Sequence, residues 1–274
     1  MQPVMRLDVI GAGPAYTDRV GATGAAYLVR SADHRLLLDL GQGSFSRLAS
    51  LVDPGDLSAV VISHLHPDHF IDLVPLRHYL RWEKPRRRVV VLGPAELRAR
   101  LDGLHGDPDF SEAALDLETL AVGVRTIGPF ELQVARVTHT DSSFGFRVSV
   151  GGAGGVGVAD GVGLVYSGDC GRAEDLDVLV QPGDTLLCEV SFGPGPVVAG
   201  AQHLDGPAVG RLAHRTRAGR VLLTHLQMGY DQEATIESVR AHFDGPVELV
   251  DPGFNTSIQA PMSGPISGPG RPET

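Results

Sequence analysis

Short apolar runs separated by glycine-containing turns dominate the pattern of hydrophobic and polar positions along this chain. Arg6–Ile10 alternates polar and apolar side chains, whereas Ala59–Ile62 is continuously apolar. Alternation is typical of a half-buried strand, and a short continuous run is typical of a fully buried one. The pattern predicts strands at 6–10, 25–29, 36–39, 59–62, 89–92, 130–137, 144–150, 163–166, 185–189, 220–224 and 247–250.

Six longer segments between the strands predict helices. Pro94 suits the first turn of one of them, whereas Pro75 interrupts another early in its course. The chain is β-rich at first and mixed later, which favours an α+β core of two packed sheets with helices outside. The predicted helices cover 44–51, 70–82, 94–101, 174–180, 206–218 and 232–243.

The 274 residues are 42% hydrophobic and 20% charged, a globular composition that argues against a disordered or fibrous chain. A chain of this length can form one domain, and we predict a single domain over residues 1–258. The remainder, 259–274, is rich in Pro, Gly and Ser and is predicted to be disordered. The net charge of −10 opposes binding to a nucleic-acid backbone.

Three features of the sequence favour a cytoplasmic protein. The first residues lack the sustained apolar core of a signal peptide, and no window approaches 18 uninterrupted apolar residues. Cys170 and Cys188 form no CxxC pair, and we expect both thiols to be reduced. No membrane partner is therefore expected.

The strongest chemical signal is the segment SHLHPDH at positions 63–69, which follows a predicted buried strand. His64, His66, Asp68 and His69 place four potential metal ligands within six positions. Imidazole nitrogens together with a carboxylate suit zinc at a mixed site, not a closed structural site built from cysteines. A helix start with incidental histidines is the alternative, but three of the chain's 11 histidines in six positions disfavour it.

This segment matches the H-x-H-x-D-H signature, so the chain resembles the metallo-β-lactamase superfamily. Three later residues match the remaining landmarks of the family in the expected order: His139, Asp169 and His225. The resemblance covers about residues 5–255. It implies the αββα sandwich of that superfamily, in which two packed mixed sheets carry helices on their outer faces.

The resemblance also implies a cofactor of two divalent ions per chain, with zinc expected and manganese as the alternative. Two such ions generate a hydroxide near neutral pH and clamp the attacked group. The implied ligands are His64, His66 and His139 for one ion, Asp68, His69 and His225 for the other, and Asp169 as the bridge.

Segments around these ligands indicate which branch of the superfamily the chain resembles. Thioesterase and lactonase members carry a T-P-G-H-like segment at the third histidine, but this chain has SFGFR at 143–147, similar to the ribonuclease Z and phosphodiesterase branch. Segments 187–192 and 202–205 resemble two further motifs of that branch. The resemblance implies catalytic roles for Asp68 and for His203, which is not a ligand and is oriented by Glu189. The alternative for His203 is a helix cap, although Asp205 is the better cap by residue type.

The interval between His139 and Asp169 separates the candidate substrates. Ribonuclease Z members insert there a long arm that grips tRNA, whereas two strands and the glycine-rich turn 151–163 fill nearly all of this interval. With a net charge of −10, a large RNA would bind poorly, because its affinity rests on phosphate neutralisation. The sequence therefore favours a phosphodiesterase acting on a small or cyclic phosphodiester, similar to cyclic-nucleotide-cleaving members.

Other functions stay open at this stage. The first alternative is a tRNA 3′-end endoribonuclease without its usual arm, followed by a lactone or ester hydrolase and a metal-binding protein without turnover. The basic cluster Arg81–Arg88 could attract nucleic acid, but a solvated basic turn is favoured. The turn Asp39–Gly43 matches a family turn and is predicted to be architectural. Members of this branch are often homodimers, so a second copy is a further candidate partner.

Overall fold

The computed structural model describes residues 4–106, 108–150 and 161–259, and these residues contain fourteen strands. All eleven predicted strands are present, within a few residues of their predicted bounds. In chain order the strands are β1 (Met5–Gly11), β2 (Ala26–Ser31), β3 (His34–Leu38), β4 (Ala59–Val61), β5 (Val89–Gly93), β6 (Leu115–Thr119), β7 (Gly123–Ile127), β8 (Phe130–Arg136), β9 (Phe144–Val150), β10 (Leu164–Tyr166), β11 (Thr185–Glu189), β12 (Arg220–Thr224), β13 (Val247–Leu249) and β14 (Asn255–Ile258).

The strands form two mixed sheets of seven strands each, with the orders β14-β1-β2-β3-β4-β5-β6 and β13-β12-β11-β10-β9-β8-β7. Each sheet has three antiparallel pairings on one side and three parallel pairings on the other. The loops that leave the carboxyl ends of parallel strands are the usual location of a ligand site in such sheets.

Helices cover the outer faces of both sheets, and three apolar cores separate the layers. The central core lies between the sheets and includes Tyr27 and Phe146. The outer core of the first sheet includes Leu76, and that of the second includes Val209 and Val239. The predicted αββα sandwich is therefore confirmed. The helices of the described ranges are α1 (Ser44–Leu51), α2 (Pro67–Phe70), α3 (Leu73–Trp82), α4 (Leu97–His105), α5 (Gly206–Thr216) and α6 (Gln232–Arg240).

The sequence pattern does not predict three of the strands, β6, β7 and β14, and all three are edge strands. Four of the five residues of β7 are exposed, and β14 contains a single apolar residue, Ile258. An edge strand pairs its backbone with one neighbour and needs to bury few side chains, so its apolar alternation is weak.

Two helix predictions need correction. The predicted helix over 174–180 is wrong, because the chain forms only a 3-10 turn at Ala173–Leu176, where Asp175 accepts a hydrogen bond from the Thr138 backbone N–H at 2.7 Å. The predicted helix over 70–82 divides into α2 and α3. Pro75 lies in the first turn of α3, where its missing N–H has no partner to lose.

Part of the predicted organisation falls on residues that the structure does not describe. Most of the predicted glycine-rich turn, 151–160, lies outside the described residues, as does 260–274 of the predicted tail. β14 ends at Ile258, and the domain boundary predicted there stays a prediction. No helix in the described ranges is long and apolar enough to cross a membrane. Cys170 and Cys188 are both free and buried.

Ion pairs occupy most of the basic cluster Arg81–Arg88. The guanidinium of Arg81 lies over the Trp82 ring, 5.6 Å from its centroid. Cations already paired with carboxylates are poorly available for a nucleic-acid backbone, so this arrangement supports the solvated basic turn. The pairs are Lys84–Asp53 at 2.5 Å, Arg87–Asp56 at 3.5 Å and Arg88–Asp116 at 2.6 Å.

Arg147, the basic residue of the SFGFR segment, has a structural role in the second sheet. Its guanidinium is 2% exposed and donates to both carboxylate oxygens of Asp184, at 2.8 and 3.1 Å. The same guanidinium donates to the Gly161 carbonyl, and Asp184 accepts from the Gly163 N–H. This bidentate pair fixes the start of β10, which leads to Asp169.

We expect Arg147→Met to lower the free energy of unfolding by about 3–5 kcal/mol, because it leaves the Asp184 carboxylate buried and uncompensated. Urea denaturation followed by circular dichroism measures the change. The matched control is Arg215→Met, which removes an exposed pair with Asp177 and should cost about 1 kcal/mol or less. Equal losses in the two variants would show that the buried pair has no special role.

Candidate metal centre

The nine predicted site residues lie in loops, at a strand end or in the short helix α2, all at one edge of the sandwich, where the two sheets approach each other. The segment 63–69, here called the metal loop, follows β4 and includes α2. Its Ser63 carbonyl accepts from the Phe144 N–H of the second sheet at 3.0 Å. The other predicted site residues end or follow strands of that sheet, or precede α5: His139 follows β8, Asp169 follows β10, Glu189 ends β11, His225 follows β12 and His203 precedes α5.

Glycines allow the backbone to pack tightly at this edge. A Cβ at Gly41 would lie 1.8 Å from the Asp68 carbonyl oxygen, so the turn Asp39–Gly43 contacts the metal loop only because it lacks a side chain there. Gly168, directly before Asp169, has a φ of +57°, which glycine adopts without strain. His225 has a φ of +58° although it carries a side chain. Such strained residues cluster at functional sites.

The predicted ligands form two groups on either side of the Asp169 carboxylate. The first group is His64, His66 and His139. Oδ2 of Asp169 lies 3.7 Å from His64 Nε2 and 3.6 Å from His139 Nε2. The inward nitrogen of His66 is Nδ1, which lies 3.1 Å from His139 Nε2. One atom from each of these four residues lies within 4.8 Å of the others.

The second group is Asp68, His69 and His225, and it faces the other oxygen of Asp169. Oδ1 of Asp169 lies 3.3 Å from His69 Nε2 and 3.5 Å from His225 Nε2. Oδ2 of Asp68 lies 3.1 Å from His225 Nε2. The carboxylate of Asp169 thus presents one oxygen to each group.

The donor set fits divalent metal ions. His64 Nε2 and Asp169 Oδ1 are buried without a hydrogen-bond partner among the described residues, which is costly for polar atoms unless a ligand satisfies them. Four ligands at 2.0–2.1 Å around one ion lie about 3.3 Å from each other, close to the spacings in both groups. Imidazole and carboxylate donors without cysteine suit zinc and other first-row divalent ions.

Hydrogen bonds from the second ring nitrogen orient three of the histidines. Nδ1 of His69 donates to Asp39 Oδ2 at 2.7 Å, and Nδ1 of His139 donates to the Gln202 carbonyl at 2.7 Å. Nδ1 of His225 lies 3.0 Å from Ser191 Oγ. Each bond leaves Nε2 with its lone pair directed into the centre, as in histidines that bind metals.

The electrostatic field of the centre favours positive charge. Burial opposes ionisation of Asp169, but His225 and His69 more than offset it and hold the pKa of this carboxyl well below its usual value. Burial also opposes a charged His69, yet Asp169 and Asp39 hold its pKa well above the usual value. Burial dominates at His64 and lowers its pKa well below normal. An ionised carboxylate beside a neutral imidazole such as His64, which keeps its lone pair, suits a divalent cation.

His203 lies beside both groups but differs from the predicted ligands. Its ring centroid is 4.7 Å from that of His139, and its side chain is 18% exposed, whereas that of His139 is 5% exposed. Nδ1 donates to Glu189 Oε1 at 2.9 Å, so Nε2 is the ring nitrogen left for a substrate. Asp205 caps α5 by accepting from the Ala208 N–H, which removes the helix-cap alternative for His203.

Glu189 supports more than His203. Its Oε1 also accepts from the Cys170 N–H at 2.8 Å, next to Asp169. Its Oε2 accepts from Ser191 Oγ at 2.5 Å, and that hydroxyl contacts the ring of His225. One buried carboxylate therefore orients His203 and, through Ser191, a predicted metal ligand.

The sequence analysis missed two supporting residues, Asp39 and Ser191. Asp39 was predicted to be architectural, but its carboxylate accepts from His69, from Ser63 and, at 2.7 Å, from Tyr166 OH. The available signal was an acidic residue at the end of a buried strand, directly before a glycine turn. The available signal for Ser191 was its place in the segment 187–192, whose resemblance to a motif of the branch includes a hydroxyl residue two positions after the glutamate.

Comparisons with known proteins bear on the family and the fold of this chain. Residues 34–226 match a family model described as Beta-lactamase superfamily domain. The chain is 31% identical over 272 residues to an uncharacterized protein of Mycobacterium leprae, covering 92% of this chain and 93% of that protein. It is 26% identical over 256 residues to the probable metallo-hydrolase YhfI of Bacillus subtilis, covering 91% and 98%. It is 25% identical over 281 residues to the zinc phosphodiesterase ELAC protein 2 of Macaca fascicularis, covering 91% of this chain and 31% of that protein.

Solved structures show the same fold. The crystal structure of YhfI from Bacillus subtilis matches with a TM-score of 0.81 at 23% identity, covering 93% of this chain and 99% of YhfI. Human tRNase Z, short form, matches with a TM-score of 0.68 at 20% identity, covering 92% and 99%. Unliganded yeast PDE1 matches with a TM-score of 0.70 at 14% identity, covering 93% and 99%.

We expect Asp169→Ala to lose most of the bound divalent metal, because each group loses the oxygen that faces it. Elemental analysis by mass spectrometry after gel filtration measures the metal content, and circular dichroism checks the fold. His105→Ala and His242→Ala are matched controls, because both histidines lie outside the centre. The metal content of these two variants should equal that of the wild-type protein. An Asp169→Ala protein that remains fully loaded would contradict the assignment of this residue.

Proposed function

The chain belongs to the beta-lactamase superfamily, and from that membership we propose a dinuclear metal-dependent phosphodiesterase that hydrolyses a small or cyclic phosphodiester of the cyclic-nucleotide type. It is a metallo-hydrolase that fits the ribonuclease Z and phosphodiesterase-like branch, with YhfI, ELAC proteins and yeast PDE1 among its neighbours. The phosphodiester as the cleaved bond and the presence of two metal ions per chain are our proposals.

The carboxylate of Asp169 is the observation that supports two ions. Its two oxygens face two separate groups of donors, as expected for a bridge. We assign His64, His66 and His139 to one ion and Asp68, His69 and His225 to the other. Two divalent ions held there would supply Lewis acidity, lowering the pKa of water toward neutrality and neutralising charge on the attacked phosphate. We favour zinc because imidazole dominates the donor set, with manganese as the alternative.

His203 is the residue that we propose for proton transfer. Glu189 holds its Nδ1, so the ring presents Nε2 beside the centre with a fixed orientation. The Glu189 hydrogen bond more than offsets the effect of burial and raises the pKa of His203, so Nε2 can carry a proton. Hydrolysis breaks the bond between phosphorus and the leaving oxygen, and His203 would give that oxygen its proton. Asp68, beside His225, would help to orient the attacking water.

The short interval between β8 and β10 supports a small substrate. β9 occupies residues 144–150 and β10 begins at Leu164, so at most 13 positions lie between these antiparallel neighbours. A net charge of −10 and the ion-paired basic cluster also disfavour a long RNA. The names of ELAC protein 2 and tRNase Z keep tRNA 3′-end processing as the second candidate.

We further propose a cytoplasmic location, a small phosphodiester and a second copy of the chain as partners, and neither a large RNA nor a membrane as a partner. The two free cysteines support a reducing compartment.

We expect metal-loaded protein to hydrolyse bis-p-nitrophenyl phosphate and cyclic AMP, and to process a tRNA precursor slowly or not at all. A γ-lactone serves as the control for ester hydrolysis, and each substrate is assayed with zinc and with manganese. Efficient cleavage selective for the 3′ end of the precursor would replace the proposal with the second candidate. Turnover of the lactone alone would reject both.

We expect His203→Ala to keep its metal and to lose about 10²–10⁴-fold in kcat on cyclic AMP, the usual scale for a positioned acid. The loss on a p-nitrophenyl ester should be smaller, because p-nitrophenolate leaves without protonation whereas a ribose alkoxide needs a proton. Glu189→Gln should follow the same order with a smaller loss. Equal losses on both substrates would argue against proton donation by His203.

A further inference from the structure

A cavity of about 260 Å³ opens directly beside His66, on the side of the first group of ligands. Its walls come from the metal loop, from the start of α4 with Glu96 and Arg100, and from residues 140–142, which follow His139. His66 is a predicted ligand and also lines this cavity, so a molecule held at the centre can extend into it. This cavity is therefore a candidate for the part of the substrate beyond the cleaved bond.

Arg100 is the unusual member of the cavity wall. Its exposed guanidinium has no hydrogen bond or ion pair to any residue that the structure describes. On the same helix, Arg98 is paired with Glu112 at 2.5 Å. Glu96, one turn before Arg100, accepts a hydrogen bond of 3.4 Å from Ser142 Oγ. Although Glu96 and Arg100 are both described by the structure and line the same cavity, they form no ion pair with each other. A cation and a carboxylate thus face the same cavity as separate groups.

The wall chemistry excludes two classes of substrate. Glu96 and Asp141 contribute two negative charges against one positive charge, so a second phosphate would be repelled on balance. Leu65 is the only aliphatic side chain among the described residues of the wall, so an acyl chain would gain little from entering. The wall instead offers donors from Arg100 and acceptors from Glu96, with hydroxyls from Thr140 and Ser142 that serve as either.

We propose that this cavity binds the nucleoside portion of the phosphodiester, with Arg100 and Glu96 as specificity-determining residues. This inference rests on the proposed function and names the substrate class of the same site. A nucleoside is uncharged and carries donors and acceptors on both ribose and base, which matches the mixed wall. The volume is slightly below the usual 300–1,000 Å³ of drug-sized pockets, so the cavity suits a group about the size of one nucleoside.

Two phosphodiesters with the same leaving group test the proposal: adenosine 5′-(p-nitrophenyl phosphate) and methyl p-nitrophenyl phosphate. Arg100→Ala should raise KM for the adenosine ester about 10-fold, the effect expected from losing a hydrogen bond to a charged group. The same variant should change KM for the methyl ester by less than about 2-fold, since a methyl group leaves the cavity empty. Glu96→Gln should also raise KM selectively for the adenosine ester.

Arg98→Ala is the matched control, because it removes the same side chain from the same helix and should leave both esters unchanged. Equal effects of Arg100→Ala on the two esters, or no effect on either, would overturn the proposal while leaving the phosphodiesterase intact. Calorimetric titration of metal-loaded protein with adenosine 5′-monophosphate gives a second measurement. Arg100→Ala should weaken this binding about 10-fold without weakening the binding of inorganic phosphate.

The two inferences fail in different ways. If the wild-type protein hydrolyses neither ester, the phosphodiesterase proposal is wrong. The titration still decides the role of the cavity, because unchanged affinity of Arg100→Ala for adenosine 5′-monophosphate overturns the nucleoside site. Weakened affinity for the nucleotide alone supports it.

Discussion

Burial of the Asp169 carboxylate between two groups of imidazoles is the constraint on which the rest of the site depends. A charged carboxylate in a site that is almost closed to water is costly unless hydrogen bonds or opposite charges compensate it. Here the compensation comes mainly from His225 and His69, whose Nε2 atoms face one oxygen, while His64 and His139 lie 3.7 and 3.6 Å from the other oxygen, where a metal ion would complete it. Strand ends from both sheets must meet at this point, and each must present a particular atom.

The supporting polar residues make that meeting point rigid. Asp39 fixes the ring of His69 and accepts from Ser63 and Tyr166, so the first sheet, the metal loop and the second sheet share one buried carboxylate. Glu189 does the same on the other side, where it holds His203 directly and His225 through Ser191. Because the proton-transfer candidate and a ligand candidate share this support, a change at Glu189 is transmitted to both.

Much of the centre is predictable from the sequence, because every predicted site residue except His203, which precedes α5, lies in the metal loop or at or shortly after the end of a strand. Buried apolar strands such as 59–62 are visible in the pattern, and the histidines and aspartates that follow them are rare enough to stand out. The supporting residues are not visible in this way. Asp39 and Ser191 lie in segments that resemble the family, but only tertiary packing shows that they contact the rings of His69 and His225.

The edge strands and the cavity at His66 show the same limit. β14 and β1 lie near opposite ends of the chain and pair through backbone hydrogen bonds. A pattern of apolar side chains cannot predict such a pairing. Arg100 is one of 22 arginines in the sequence, and its lack of a partner among the described residues emerges only when its surroundings are known. Sequence patterns predict buried elements well, whereas the selection of a substrate rests on exposed side chains that packing does not restrict.

X-ray diffraction from crystals of zinc-loaded protein, recorded on both sides of the zinc absorption edge, tests the bridging role of Asp169 most directly. We expect two anomalous peaks per chain about 3.5–4 Å apart, one among His64, His66 and His139 and one among Asp68, His69 and His225, with Asp169 between them. A single peak at full zinc loading, with one oxygen of Asp169 left without a metal, would contradict the dinuclear centre.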